Sequence, residues 1–213
     1  MKQQKQQKQQ ERLARGLQRA DDGIVRCAWC GSSADYVAYH DQEWAVPVRD
    51  DVRLFEKLSL ECFQAGLSWI TILRKRENFR RAFRGFDPER VARFGSVDVR
   101  QLLANAGIVR HRGKIEAVIG NAKRVLELRD REGSLAHFVW GFAPSESARP
   151  RRITAGVIPP QTPESRALSA ALKQRGWRFV GPTTCYAFFQ AMGLVNDHLD
   201  GCARRAEIAA LRG

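Results

Sequence analysis

Cys27 and Cys30 form a C-x-x-C pair, and His198 and Cys202 form an H-x-x-x-C pair near the other end of the chain. His40 lies thirteen residues after Cys27. Thiolates and imidazoles in fours suit tetrahedral zinc. Spacing alone selects Cys27, Cys30, His198 and Cys202 as the ligands. Two half-sites so far apart in sequence would clip the termini together, and closing so long a loop adds stability. The alternative is a set of separate buried thiols and surface histidines. Cys62 and Cys185 each sit on an apolar helical stripe and read as core residues.

One acid also invites chemistry. In a helix running from about Asp51, the residues Leu54, Phe55, Leu58, Cys62 and Ala65 cover an arc of about 100°. Glu61 falls about 20° outside that arc, at the margin of the buried face. A carboxylate there must find donors or shift its pKa. The plain alternative is a surface glutamate at the edge of a core. Its sequence surroundings favour more: Gly66-Leu67-Ser68-Trp69 follows, and Tyr36, Tyr39 and Trp44 lie upstream. Indoles and phenols stack on a flat heterocycle, and a carboxylate accepts hydrogen bonds from its amino edge. That combination suits a nucleobase swung out of a duplex.

A third feature is the stretch Leu102-Leu103-Ala104-Asn105-Ala106-Gly107-Ile108-Val109-Arg110-His111-Arg112-Gly113-Lys114. A helix ends, Gly107 allows a tight turn, and a basic helix begins. Such a turn aims a helix N-terminus at a phosphate, and Arg110, Arg112 and Lys114 add positive charge beside it. The stretch from about 101 to 126 therefore reads as a helix-hairpin-helix gripping a DNA backbone. The alternative is an ordinary helical corner with solvated charges.

The elements that must position these groups read as helical. The chain has 213 residues, 44% of them hydrophobic, enough for one core. Its formal net charge is +13, which points to a polyanionic partner, nucleic acid first. The stretch through Arg26 holds seven basic and three acidic residues, so +9 remains on the rest. Residues 1–23 begin with K-Q-Q repeats and read as a disordered, low-complexity tail. Residues 24–213 form the expected domain. No apolar run is long enough for a membrane span, and the first ten residues lack a signal-peptide core, so a cytoplasmic location is expected. Caps are expected at Asp50 or Asp51, Ser68, Asp87-Pro88, Ser96, Ser134 and Thr162-Pro163. Residues 143–161 read as a loop, and Trp177–Val180 as the best strand candidate. The fold class is all-α, with about eight to ten short helices.

With these residues assembled, the chain resembles the 3-methyladenine DNA glycosylase I (Tag) family of the helix-hairpin-helix superfamily. The resemblance rests on RCAWCGSSADYVAYHDQEWAVP, LFEKLSLECFQAGLSWITILRKRENFR, AGIVRHRGKIEAVIGNA, ALKQRGWRFVGPTTCYAFFQAMGLVNDH and HLDGC. It implies a two-lobed helical fold and a structural zinc held by Cys27, His40, His198 and Cys202, with Cys30 left as a rival to His40. It implies a base pocket of Glu61, Trp69, Tyr39, Tyr36 and Trp29, with Glu61, Tyr39 and Trp69 as catalytic residues. Gly66 and Leu67 match a loop that probes the gap left by the extruded base. The expected activity is hydrolysis of the N-glycosidic bond of 3-methyladenine, by a monofunctional enzyme acting on alkylated double-stranded DNA as a monomer and releasing the free base. Rival readings are a lyase using Lys114, a zinc-clipped DNA-binding module without catalysis, and a structural zinc protein.

Overall fold

The computed structural model describes residues 13–212, and within them ten α-helices and one two-stranded hairpin. The hairpin pairs β1 (Leu17–Arg19) with β2 (Val25–Cys27) antiparallel, Leu17 facing Cys27. This corrects the expected tail boundary at residue 23: the chain is built into the domain from before Leu17. The backbone N–H of Ala203 donates to Val25 O at 2.9 Å, so the hairpin joins the C-terminal segment. Residues 1–12 of the expected tail lie outside the described residues.

The helices are α1 (Ala34–Gln42), α2 (Asp51–Gln64), α3 (Trp69–Ala82), α4 (Pro88–Val91) and α5 (Ser96–Ala104), followed by α6 (Arg112–Glu132), α7 (Leu135–Trp140), α8 (Pro163–Gln174), α9 (Pro182–Ala191) and α10 (Arg204–Ala210). Local side chains explain several helix starts. Asp50 accepts from Arg53 N, Asp87 from Glu89 N, Ser134 from His137 N, and Thr162 exchanges bonds with Ser165. Each satisfies an N–H that the helix leaves unpaired. At α5 the expectation shifts by one residue: Gly95 is the cap, and Ser96 is already helical. Trp177–Val180 is not a strand; Asn121 on α6 binds both N–H and C=O of Arg178 through its side chain, replacing a sheet partner.

The main core gathers α2, α3, α6, α8 and α9 around Phe55, Phe63, Phe79, Phe83, Phe188 and Phe189, all with no accessible surface. A smaller second core of Cys27, Ile153, Leu199 and Cys202 lies under the hairpin. Among the described residues, no helix is long and apolar enough to cross a membrane.

Candidate active site and metal cluster

Helix α2 carries Glu61 at its buried end, only 5% exposed, deeper than the helical arc predicts. One turn earlier, Lys57 is equally buried, and its Nζ lies 2.8 Å from Glu61 Oε1. The same ammonium donates to Tyr39 Oη at 3.1 Å and stands 3.1 Å from the Trp69 ring centroid. Burial is the main force lowering the Lys57 pKa, opposed by Glu61. Burial also pushes the Tyr39 hydroxyl well above the usual phenol range, with Glu61 adding to it. Both shifts describe a dry place in which charges act strongly.

These side chains line a cavity of about 290 Å³ together with Trp29, Tyr36, Trp44 and Gln64. Tyr36 and Tyr39 project from α1, Trp69 opens α3, and Trp29 comes from the turn after the hairpin. Trp29 meets Tyr36 edge-on at 5.2 Å and Trp44 at 4.9 Å. Trp69 tilts over Tyr39 at 5.4 Å, and its indole N–H is buried without a partner. The structure thus brings all five expected pocket residues, Trp29, Tyr36, Tyr39, Glu61 and Trp69, to one cavity. Sequence reasoning missed Lys57. Its signal was the i,i+4 spacing to Glu61, which sets both on one face of α2.

The loop from Ala65 to Ser68 joins two cavity-lining residues, Gln64 and Trp69. Gly66 has φ +84°, a left-handed conformation that side chains oppose. Leu67 is 42% exposed, an apolar side chain standing in solvent beside the cavity.

The expected hairpin lies between α5 and α6. His111 caps α6 by accepting from Lys114 N. Gly107 is needed for close approach and not for φ, since a Cβ there would come within about 3 Å of Asn105 and Asn78 side chains. Arg110 and Arg112 are exposed, the latter beside Glu116 at 3.3 Å. Lys114 is corrected. It is 7% exposed and donates to the carbonyls of Phe63 at 3.1 Å and Ala65 at 2.6 Å. The last carbonyls of α2 have no partner inside their helix, and the flexible lysine stem turns inward to supply one. Lys114 therefore ties the hairpin to the Gly66-Leu67 loop, and is neither a free DNA contact nor a poised lyase amine.

On the far side of Trp29 and Trp44, the ligating atoms of Cys27, His40 and Cys202 lie within 4.8 Å of one another. The two thiols face each other, which lowers the pKa of Cys202 and raises that of Cys27. The His198 ring is 4.9 Å from that of His40, and its Nε2 is buried without a partner. Burial pushes the His198 pKa down to about 4, so its imidazole is neutral, as a metal ligand must be. Both rings are oriented through Nδ1: His40 against Asp41 at 2.7 Å and His198 against Asn196 at 3.0 Å. That frees each Nε2 lone pair for an ion. Cys30 turns instead toward Gln18 and the Gly31 carbonyl. The choice of Cys30 made by spacing is thereby corrected in favour of His40, which α1 delivers from thirteen residues away. The group can hold a metal.

The sequence profile of methyladenine glycosylases matches residues 29–205. The chain belongs to the methyladenine glycosylase family. Among relatives of this glycosylase, DNA-3-methyladenine glycosylase 1 of Escherichia coli (strain K12) is 51% identical over 179 residues, 84% of this chain and 96% of the relative. DNA-3-methyladenine glycosylase of Haemophilus influenzae is 46% identical with the same coverage. The glycosylase superposes on a crystal structure of 3-methyladenine DNA glycosylase I (TAG) with a TM-score of 0.79 at 51% identity, covering 84% of this chain and 98% of that one. It matches the Staphylococcus aureus enzyme, studied for 3-methyladenine recognition, with a TM-score of 0.79 at 36% identity over 84% and 96% of the two chains.

Proposed function

We propose that this glycosylase hydrolyses the N-glycosidic bond of 3-methyladenine in alkylated DNA, drawing the base out of the duplex into the cavity of Trp29, Tyr36, Tyr39, Glu61 and Trp69. The observation that carries it is Glu61: a buried carboxylate among aromatic rings, in a chain 51% identical to a DNA-3-methyladenine glycosylase. Methylation at N3 makes the base a cation and a good leaving group. A cation is favoured by aromatic faces and by a carboxylate in a dry cavity. Glu61 accepts hydrogen bonds from the amino edge, Trp69 stacks on the ring, and Tyr39 and Tyr36 close around it. The C1′–base bond breaks with its electron pair left on the base, which departs neutral. Water adds its oxygen to C1′ and loses its proton to solvent. Because the lesion carries its own charge, little acid–base help is required.

The hairpin, with Arg110 and Arg112, grips the phosphate backbone without reading sequence, and Leu67 enters the gap left by the base. The double-stranded DNA is bound by a monomer in the cytoplasm, and the free base is the product. Cys27, His40, His198 and Cys202 would hold a structural zinc, which would supply a cross-link between the N-terminal hairpin and the C-terminal segment.

The test is chromatography of bases released from methylated DNA. The expected product is 3-methyladenine in preference to 7-methylguanine. DNA binding without release of a free base would leave only a binding module. Metal analysis of Cys30→Ala and His40→Ala is expected to show zinc kept in the first and lost in the second.

A further inference from the structure

The cavity is built to hold a cation, and it already contains one. Lys57 Nζ lies 2.8 Å from Glu61 Oε1 and 3.1 Å from both the Tyr39 hydroxyl and the Trp69 ring centroid. Those are the three groups that the pocket reading assigns to the extruded base. A base stacked on Trp69 and bonded to Glu61 needs the volume and the charge partner that the ammonium now uses. The side chain is long and flexible, so its ammonium can move while α2 keeps its place.

We propose that Lys57 is a returning counter-ion: it surrenders Glu61 and Trp69 to the positively charged base, then reclaims them when bond cleavage neutralises that base and so drives product release. The inference rests on the pocket reading above. Its chemistry follows from the balance of charge. Before cleavage the base brings +1 and replaces the ammonium at Glu61. During cleavage the C1′–N pair of electrons stays on the base, and its charge falls to zero. A buried carboxylate beside a neutral ligand has lost its counter-ion, which is costly. Return of the ammonium restores it and occupies the stacking face. A lysine in this position thus costs little against the substrate and opposes the product.

Two measurements test this. In the first, free 3-methyladenine inhibits excision by wild type and by Lys57→Met. Inhibition is expected about tenfold tighter in the variant, because no cation competes for the carboxylate and ring. Unchanged or weaker inhibition overturns the proposal, and weaker inhibition would make Lys57 a donor to the bound base. In the second, the wild-type protein is acetylated with and without saturating 3-methyladenine, and modification of Lys57 is read by peptide mass spectrometry. Labelling is expected to rise when the base is present. Labelling that falls or stays constant overturns displacement even if Lys57→Met folds poorly. A wild type that releases no 3-methyladenine from methylated DNA removes the pocket reading itself. Release with no effect of Lys57 removes only this inference.

Discussion

The base cavity and the cysteine–histidine cluster share a wall and solve one electrostatic problem in two ways. Tyr39 and His40 are neighbours on α1, and the first lines the cavity while the second joins the cluster. Trp44 stacks on His40 at 6.3 Å, lines the cavity and meets the His198 ring edge-on at 4.6 Å. Each region buries groups that favour negative charge. The cluster converges two thiols and the His40 imidazole within 4.8 Å of one another, with the His198 ring alongside, a group that could take an ion. The cavity meets Glu61 with Lys57, a partner on a flexible stem. On the proposed reading, a bound ion would suit a joint that must not move, and a removable ammonium would suit a site that takes in a charged base.

The largest effect that separates the two regions is on stability. Cys202→Ala removes a cluster donor and should cost more than about 4 kcal/mol, read as a fall in thermal midpoint that added zinc does not restore. A midpoint equal to that of wild type would leave the cluster without a structural role. Next, Glu61→Gln keeps the shape of the cavity but loses its charge. Release of 3-methyladenine should drop about a hundredfold, while zinc content stays at the wild-type level. Loss of zinc in that variant would show that the two regions are not separable. Asp41→Asn weakens the orientation of His40 and should reduce metal affinity about 10–100-fold, measured by competition with a chelator.

The hairpin supplies the smallest expected effects. Lys114→Met leaves the carbonyls of Phe63 and Ala65 unpaired and should destabilise by about 1–2 kcal/mol. The slope of DNA affinity against salt should not move, because this ammonium faces the protein. Arg110→Ala is the counterpart: stability holds, and the salt slope falls by about 1. If Lys114→Met lowered the slope as Arg110→Ala does, Lys114 would be a phosphate contact after all.

Helix caps and apolar periods were legible because they are local. Asp50, Asp87, Ser134 and Thr162 each bond an N–H within three residues, so neighbouring residue types suffice to find them. Glu61 was legible as an acid near an apolar stripe, and the aromatic residues as its company. The strand Leu17–Arg19 was hidden among charged and glutamine-rich neighbours, since Leu17 packs on the small core of Cys27, Ile153, Leu199 and Cys202, most of it far along the chain.

By itself the sequence determined the helical class, the H-x-x-x-C pair, the family motifs and the acid of the cavity, all of which depend on residue type at short spacing. Only the tertiary structure decided between Cys30 and His40, because a coordination group is chosen by which atoms converge across 162 residues. The same holds for the two lysines. Nothing local tells whether a long, flexible ammonium reaches outward to phosphate or inward to a carboxylate or carbonyl. That depends on where unpaired acceptors are buried, and here Glu61 claims Lys57 while the end of α2 claims Lys114.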